Sequence, residues 1–501
     1  MRRKDSRPAD APLRLQDHKR PVTRRDFLAQ GFISGVGMVM APTLLSLLRA
    51  STANAQAAGC VLRAGAGMIP FMCLDLAGGA NIAGSNVLVG GPGGQLDLLT
   101  AEGYSKLGLP SDMTPGNAGQ VNTEFGIAFH ADSAFLRGMQ SKTSAATRAK
   151  VNGTIFCARS DNDTGNNPHN PMYGINKAGA DGDLVTLVGS ESSISGGNSA
   201  APMSMIDPTK RPTKIDSARD ATGLIDTGNL ANLLNQVQAG QVARAAEEIS
   251  AIKLAHVSED PALETQILCN YTQTTDVITN FGSPSLVNPL LDPDIATGAG
   301  GVTPIFSAAE LNQGRFAKTA AVMKLVVEGF AGAGTIEEGG YDYHDSTRAT
   351  GEQRDFLAGQ MMGAALEFAA RRAKPLMLYV LSDGSLSSDG VLDNSAAGRG
   401  KGIWKGDSSD TAASLVLVYS PTAQPALTRA SAHQIGYFRP AGSVETAATA
   451  VANNVALLAE AVVLNYLALH NRVGSFGSVL PMNGLGSGAA FDNLIAFAPI
   501  V

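Results

Sequence analysis

Apolar residues along this chain fall into two patterns with different periods. Short, nearly unbroken apolar runs that stop at glycine or polar residues recur at "IPFMCLDL" (69–76), "NGTIFCARS" (152–160), "DLVTLVGS" (183–190), "PLMLYVLSDG" (375–384) and "ASLVLVYS" (413–420). Runs of that length without alternation are the mark of strands buried on both faces of a parallel sheet. Between them lie helically spaced stretches. "EFGIAFHADSAFLRGM" (124–139) is one, with "ATRAKV" extending it, and "GEQRDFLAGQMMGAALEFAARRA" (351–373) is the clearest. Arg371, Arg372 and Lys374 suit the C-terminal end of the latter. "VETAATAVANNVALLAEAVVLNYLALH" (444–470) is apolar on nearly every side, which predicts a long helix buried against the sheet. Helix followed by strand, repeated, predicts an α/β fold with crossover connections and a mostly parallel central sheet.

The middle of the chain breaks this rhythm. From about Thr222 to Phe281 strand signal is scarce, and "LANLLNQVQAGQVARAAEEISAIKLAHV" reads as helix. The segment at about 220–330 is predicted to be a helical insertion in a single domain spanning 56–501. It includes a proline- and glycine-rich connector (282–301) and a further helix from about Ala308 to Phe330.

The first 55 residues read as an address. Arg24-Arg25 precede Asp26-Phe27-Leu28 and the weakly apolar "FISGVGMVMAPTLLSLL", the arrangement of a twin-arginine export signal. The apolar run is short for a span of about 20 residues and is interrupted by glycine and proline, so no stable membrane anchor is expected. "ANAQA" offers small residues for cleavage after Ala55. The mature protein is therefore expected in the periplasm or outside the cell, with the twin-arginine translocase as its partner during export.

Export changes the charge balance. The chain has 38 basic and 44 acidic residues; residues 1–55 hold 10 of the former and 4 of the latter, leaving 28 against 40, a net charge near −12. An acidic surface argues against nucleic acid and anionic lipid as partners. Cys60, Cys73, Cys157 and Cys269 would enter an oxidising compartment, where three full pairings are open; Cys73 and Cys157, inside apolar runs, equally suit buried thiols.

In an open parallel sheet, ligands bind beyond the carboxyl ends of the strands. Here those ends carry Asp75 before "AGGANIAGSN", Asp161, Asp163 and His169 in "RSDNDTGNNPHN", Asp342 and His344 in "GGYDYHD", and Asp383 in "SDGS". Carboxylate oxygens suit hard cations and imidazole suits zinc, so zinc, magnesium or calcium are the candidate cofactors. Asp-X-His on an extended segment turns both side chains to one face. Asn81 and Ser85 lie among glycines whose amides could cradle an anion. Other readings are plainer: Asn, Asp and Gly in "SDNDTGNN" are turn formers, His130 suits a helix or its cap beside Asp132 and Ser133, His256 suits a helix, and Asp383 could cap one. Gly-X-Ser-X-Gly, Gly-X-Gly-X-X-Gly and Cys-X-X-Cys are all absent where they would signify, which argues against an α/β-hydrolase, a dinucleotide enzyme and a haem-attachment protein.

Taken in order, these motifs resemble the exported bacterial family catalogued as domain of unknown function 1501, a distant branch of the alkaline phosphatase and sulfatase superfamily. The likeness runs from "TRRDFL" through "CLDLAGGAN", "FHADSAFLRGM" and "IFCARSDNDTGNNPHN" to Gly339-Gly340-Tyr341-Asp342-X-His344 and Ser382-Asp383. It implies a three-layer α/β/α sandwich, alkaline-phosphatase-like, with one or two divalent metals at the strand ends beside a nucleophile that cleaves phosphate or sulfate esters. On that likeness Asp342 and His344 would be metal ligands, with Asp383 at the following strand end and His169 near the loop histidine; with Asp75 these five are the candidate metal ligands, and Ser85 and Ser160 are the candidate nucleophiles. It also implies a co-exported helical partner protein. Two positions depart from the family: Ala80-Asn81 stands where an Asp commonly follows Gly-Gly, and "DSSDTAA", with Asp407 and Asp410, stands where Asp-His-Gly is common. His433 could replace the missing imidazole. Three functions follow as expectations: an ester hydrolase, a metal- or ligand-binding protein without turnover, and a non-catalytic binding or assembly protein that keeps the fold.

Overall fold

Strand β1 (Phe71–Ala77) lies inside an eight-stranded sheet and pairs in parallel with β7 (Ala331–Gly339) on one side and β8 (Leu376–Ser382) on the other. The computed structural model describes residues 67–161, 165–225, 236–257, 279 and 284–501. The twin-arginine segment, the cleavage position after Ala55, Cys60, Asp163 and Cys269 lie outside the described residues. The chain divides into two compact units. The larger draws on Arg49–Ile225 and Ser283–Val501; the smaller draws on Met1–Leu48 and Asp226–Gly282 and is described at the helix Gln236–Val257, which contains His256.

The sheet, in the larger unit, also contains β4 (Val151–Phe156), β5 (Val185–Gly189), β6 (Thr213–Lys214), β11 (Ser414–Tyr419) and β12 (Gln434–Ile435), in the order β12-β4-β11-β8-β1-β7-β5-β6. It is mostly parallel and the fold is α/β. The exception is β11, which runs antiparallel to both β4 and β8. The sequence reading gave "ASLVLVYS" the same direction as the others, because a doubly buried strand is equally apolar in either direction. Its reversal has a consequence for the site: the segment that precedes it, 407–413, enters at the carboxyl edge of the parallel strands.

Helices cover both faces of the sheet. Cys73 stands opposite Thr335 and Tyr379, so the three share a face, and α2 (Met172–Lys177) and α5 (Val455–Leu469) pack on it around a core that includes Phe71, Tyr379, Val416, Leu464 and Tyr466. The other face receives α3 (Gly314–Val327), whose Val322 and Val326 approach Gly334, and α4 (Ala349–Arg371), which packs on β8 and on α1 (Ala134–Lys142). Cys73 and Cys157 are buried free thiols. Among the described residues no helix is long and apolar enough to cross a membrane.

Three helical expectations change. Residues 124–139 are mostly a hairpin, β2 (Val121–Phe125) and β3 (Ile127–His130), followed by the shorter α1 with Ser133 as its cap. Phe125, Ile127 and Phe129 alternate and are all fully buried, a period of two that the surrounding helix formers obscure. Gly126 makes the tight connection with φ +81°, where a Cβ would strike Asn152. The helix expected from about 308 to 330 is split into Ala308–Leu311, closed by a Ser307–Glu310 capping box, and α3. The C-terminal helix begins only at Val455, where the Asn454 side chain accepts from the Leu457 amide; the residues before it form turns and a short strand pair.

A candidate metal centre at the carboxyl rim

Beyond β7 the chain turns at Gly340, with φ +88°, and runs without regular secondary structure through Tyr341-Asp342-Tyr343-His344. The Tyr341 amide donates to the Ala77 carbonyl at 3.1 Å, carrying the β1–β7 pairing one step past the strand. Alternation then sorts the side chains. Tyr341 and Tyr343 are buried, while Asp342 and His344 face solvent together, with His344 Nε2 2.6 Å from Asp342 Oδ1. A third group comes from another element: Asp407 Oδ1 lies 3.5 Å from His344 Nε2. Asp407 ends β10 (Lys401–Asp407), which forms a hairpin with β9 (Leu386–Asp393) just before β11.

The N-terminal turns of α4 hold both sides of this group in place. Glu352 and Asp355, three residues apart, lie on one side of the helix. Asp355 Oδ1 accepts from the Tyr343 hydroxyl at 2.8 Å, and its Oδ2 from Asn86 Nδ2 at 2.7 Å. Burial raises the Asp355 carboxyl to about 7, with the Asn86 and Tyr343 hydrogen bonds opposing the rise. Glu352 Oε1 accepts from the wholly buried Lys401 ammonium at 2.9 Å and from Arg348 Nε at 3.0 Å, which ties β10 to the same helix. The Arg348 guanidinium also stacks over Trp404 at 4.5 Å, and the Ser346 amide donates to the Trp404 carbonyl at 3.1 Å. The segment bearing Asp342 and His344 therefore runs beside the strand bearing Asp407.

Asp342, His344 and Asp407 each offer one donor atom, all within 4.8 Å of one another, and together could hold a metal ion. Two carboxylate oxygens and one imidazole nitrogen fit zinc and related divalent ions. A tetrahedral site with bonds of about 2.1 Å has donor–donor edges of about 3.4 Å. The His344–Asp407 separation of 3.5 Å meets that, and the His344–Asp342 contact of 2.6 Å needs only the exposed Asp342 side chain to swing outward.

Asp75 and Asp383 are a different matter. Both are buried one layer in, and their oxygens are taken by the protein's own donors. Asp75 accepts from the Ser199 amide at 2.6 Å and its hydroxyl at 3.0 Å. Asp383 accepts from the Gly78 amide at 2.7 Å and from Asn198 Nδ2 at 2.8 Å, so it caps no helix. Burial raises Asp75 to about 7; the Ser199 amide opposes that rise and the neighbouring Asp383 charge adds to it. Gly78 separates the two layers. With φ +117° and an imaginary Cβ only 2.6 Å from the Asp342 amide nitrogen, it is the residue that lets the Asp342 backbone lie against the β1 turn.

The remaining sequence candidates sit away from the solvent-facing rim. Ser85 is fully buried and donates to Asn81 Oδ1 at 3.1 Å. The loop around them is no anion cradle, because its amides are spent internally: Gly78 on Asp383, Ala80 on Ser382 Oγ, Asn81 on the Tyr343 hydroxyl, Gly84 on Val87 and Ser85 on Ala83. Ser160 and His169 are buried with their side-chain polar atoms lacking hydrogen-bond partners among the described residues, and burial alone lowers His169 to about 4. His130 ends β3 with Nε2 3.0 Å from the Met113 carbonyl, in place of a helical role, and His433 Nδ1 is 3.1 Å from the Gly153 carbonyl and takes no part in the rim. Asp407 is named in the sequence only as part of "DSSDTAA" and not as a candidate ligand. Its local signal is position in the polar gap before an apolar strand, and that position falls at the site only because β11 is reversed.

No family model matches the chain, and no curated protein matches it.

Proposed function

We propose that this chain is an exported, metal-dependent hydrolase of a phosphate or sulfate ester, built on an alkaline-phosphatase-like three-layer sandwich and acting at Asp342, His344 and Asp407. The observation that carries this reading is the grouping of two carboxylates and an imidazole from separate segments at a solvent-facing rim of the sheet's carboxyl edge. Three protein donors leave the rest of a divalent ion's coordination sphere to water and substrate, as in catalytic rather than structural sites. A bound divalent ion would polarise the ester oxygen and acidify a water. In the net reaction water adds oxygen to phosphorus or sulfur, and the ester oxygen leaves with a proton as the alcohol. Water as nucleophile agrees with the burial of Ser85 and Ser160. The twin-arginine segment supports a periplasmic or extracellular location and transit through the translocase, and the family likeness supports a co-exported helical partner.

The test is elemental analysis of the folded, purified protein, followed by assays on aryl phosphate and aryl sulfate esters. The expected result is one divalent ion per chain and ester turnover, with both lost in His344→Ala. A metal-free protein that hydrolyses nothing contradicts the proposal. One observation favours a second reading, a non-catalytic binding or assembly protein on the same fold: Asp75 and Asp383, where the superfamily would put further ligands, are satisfied by Ser199, Gly78 and Asn198. Metal uptake without turnover of any ester would select that reading.

A further inference from the structure

Beside the metal-ligand group the same two segments place a second pair. Ser346 lies two residues past His344, and Lys405 two residues before Asp407; the Lys405 ammonium donates to Ser346 Oγ at 3.2 Å. Both residues are exposed. Among the described residues Lys405 has no carboxylate within ion-pair distance, although Asp342, Asp345 and Asp407 are close in sequence to the pair. Asp345 is committed elsewhere, accepting from the Thr347 amide and hydroxyl and from the Thr350 hydroxyl. Arg159, the cation near the following turn, is paired with Asp410. Lys405 is thus a cation on the strand that ends in Asp407, held by a neutral hydroxyl two residues past His344.

We propose that Lys405, oriented by Ser346, is the anion-binding and specificity-determining residue of this site, and that it selects a singly charged tetrahedral ester: a sulfate monoester or a phosphate diester, in preference to a phosphate monoester. The inference rests on the metal-site reading above. Its basis is charge. A divalent ion held by Asp342 and Asp407 with a neutral imidazole forms a neutral centre, so the single ammonium of Lys405 supplies one unit of positive charge. One such charge matches one negative charge on the ester, whereas a doubly charged monoester would bring a second, uncompensated charge near Asp345, a carboxylate whose own partners are the neutral Thr347 and Thr350.

The test uses the full mature protein loaded with zinc and two ligands of nearly equal shape, methanesulfonate with one charge and methylphosphonate with two at pH 8.5. Binding is measured by calorimetry, and zinc affinity is measured separately for every variant. Methanesulfonate is expected to bind more tightly than methylphosphonate. Lys405→Gln should weaken methanesulfonate binding by about tenfold, the order expected for loss of one charge-assisted hydrogen bond. Lys405→Arg should restore most of it, and all variants should keep the wild-type zinc affinity and melting temperature. If turnover is found, the same ranking should hold in kcat/KM for an aryl sulfate and a diaryl phosphate against the aryl phosphate monoester. Zinc-loaded protein that prefers methylphosphonate, or loses nothing in Lys405→Gln, overturns the assignment of Lys405 alone. Protein that takes up no zinc overturns the metal-site reading and this inference with it.

Discussion

The Tyr343 hydroxyl donates to Asp355 Oδ1 at 2.8 Å and accepts from the Asn81 amide at 3.1 Å, and this buried junction sets the position of the two residues that flank it, Asp342 and His344. One phenol thereby couples the first strand-end turn, the rim segment and helix α4. Tyr343→Phe should keep the ring packing against Tyr341 and Trp404 while leaving Asp355 and Asn81 each short of a partner. The expected cost is about 1–3 kcal/mol of stability, read in urea denaturation, and a loss of zinc affinity on the order of tenfold from a loosened ligand segment. Unchanged affinity would show that Tyr343 does not position the rim.

On the Asp407 side the corresponding anchor is Glu352. It sits between Lys401, Arg348 and Arg137, with Arg137 Nη2 at 2.5 Å from Oε2. Burial pushes its carboxyl up, but the Arg348 and Lys401 charges outweigh that and hold it below the usual range. Glu352→Ala should cost about 3–5 kcal/mol, because two buried cations lose their counter-charge. Glu352→Gln should cost less, since the shape and some hydrogen bonds survive. Equal effects of the two would mean that packing, not charge, carries the contribution.

The inner carboxylates should prove irrelevant to metal uptake. Asp75→Asn and Asp383→Asn leave the rim donors untouched, so both should bind zinc with wild-type stoichiometry and with affinity within about twofold. Asp342→Asn and Asp407→Asn should lose on the order of tenfold to a hundredfold, since each removes a ligand charge. Zinc affinity that falls instead in the Asp75 or Asp383 variants would move the site one layer inward.

His169 should leave a signature in acid. Its folded-state value is depressed to about 4 from 6.5 by burial. Well above pH 6.5 the imidazole is neutral in both folded and unfolded chains and contributes nothing to the pH dependence. As pH falls toward 4 the unfolded chain takes up the proton and the folded one does not, so stability declines. Relative to His169→Leu, the wild type should lose about 2 kcal/mol between pH 7 and pH 5. A flat difference between the two denaturation series would mean that the ring is solvated or paired.

Much of the sheet was legible because a doubly buried strand is continuously apolar: residues 69–76, 152–160, 183–190 and 375–384 correspond closely to β1, β4, β5 and β8. β7 was harder, since "AGAGTIEEG" trades side chains for glycine, and the β9–β10 hairpin hid in a polar, glycine-rich stretch. Direction was not legible at all for β11. That one unknown kept Asp407 from being placed at the rim, because a residue's place at one edge of a sheet or the other depends on which way its strand runs. Asp342 and His344 could be singled out from local alternation, which needs no knowledge of the fold. The burial of Asp75, Asp383, Ser85 and Ser160 depends on what distant segments lay over them, such as Asn198 and Ser199, and no local pattern reports that.

The most direct measurement is a crystal of the mature protein grown with zinc and recorded on both sides of the zinc absorption edge. The account predicts an anomalous peak within about 2.0–2.2 Å of Asp342 Oδ1, His344 Nε2 and Asp407 Oδ1. A well-ordered rim with no peak, or a peak bound by Asp75 and Asp383, would contradict it.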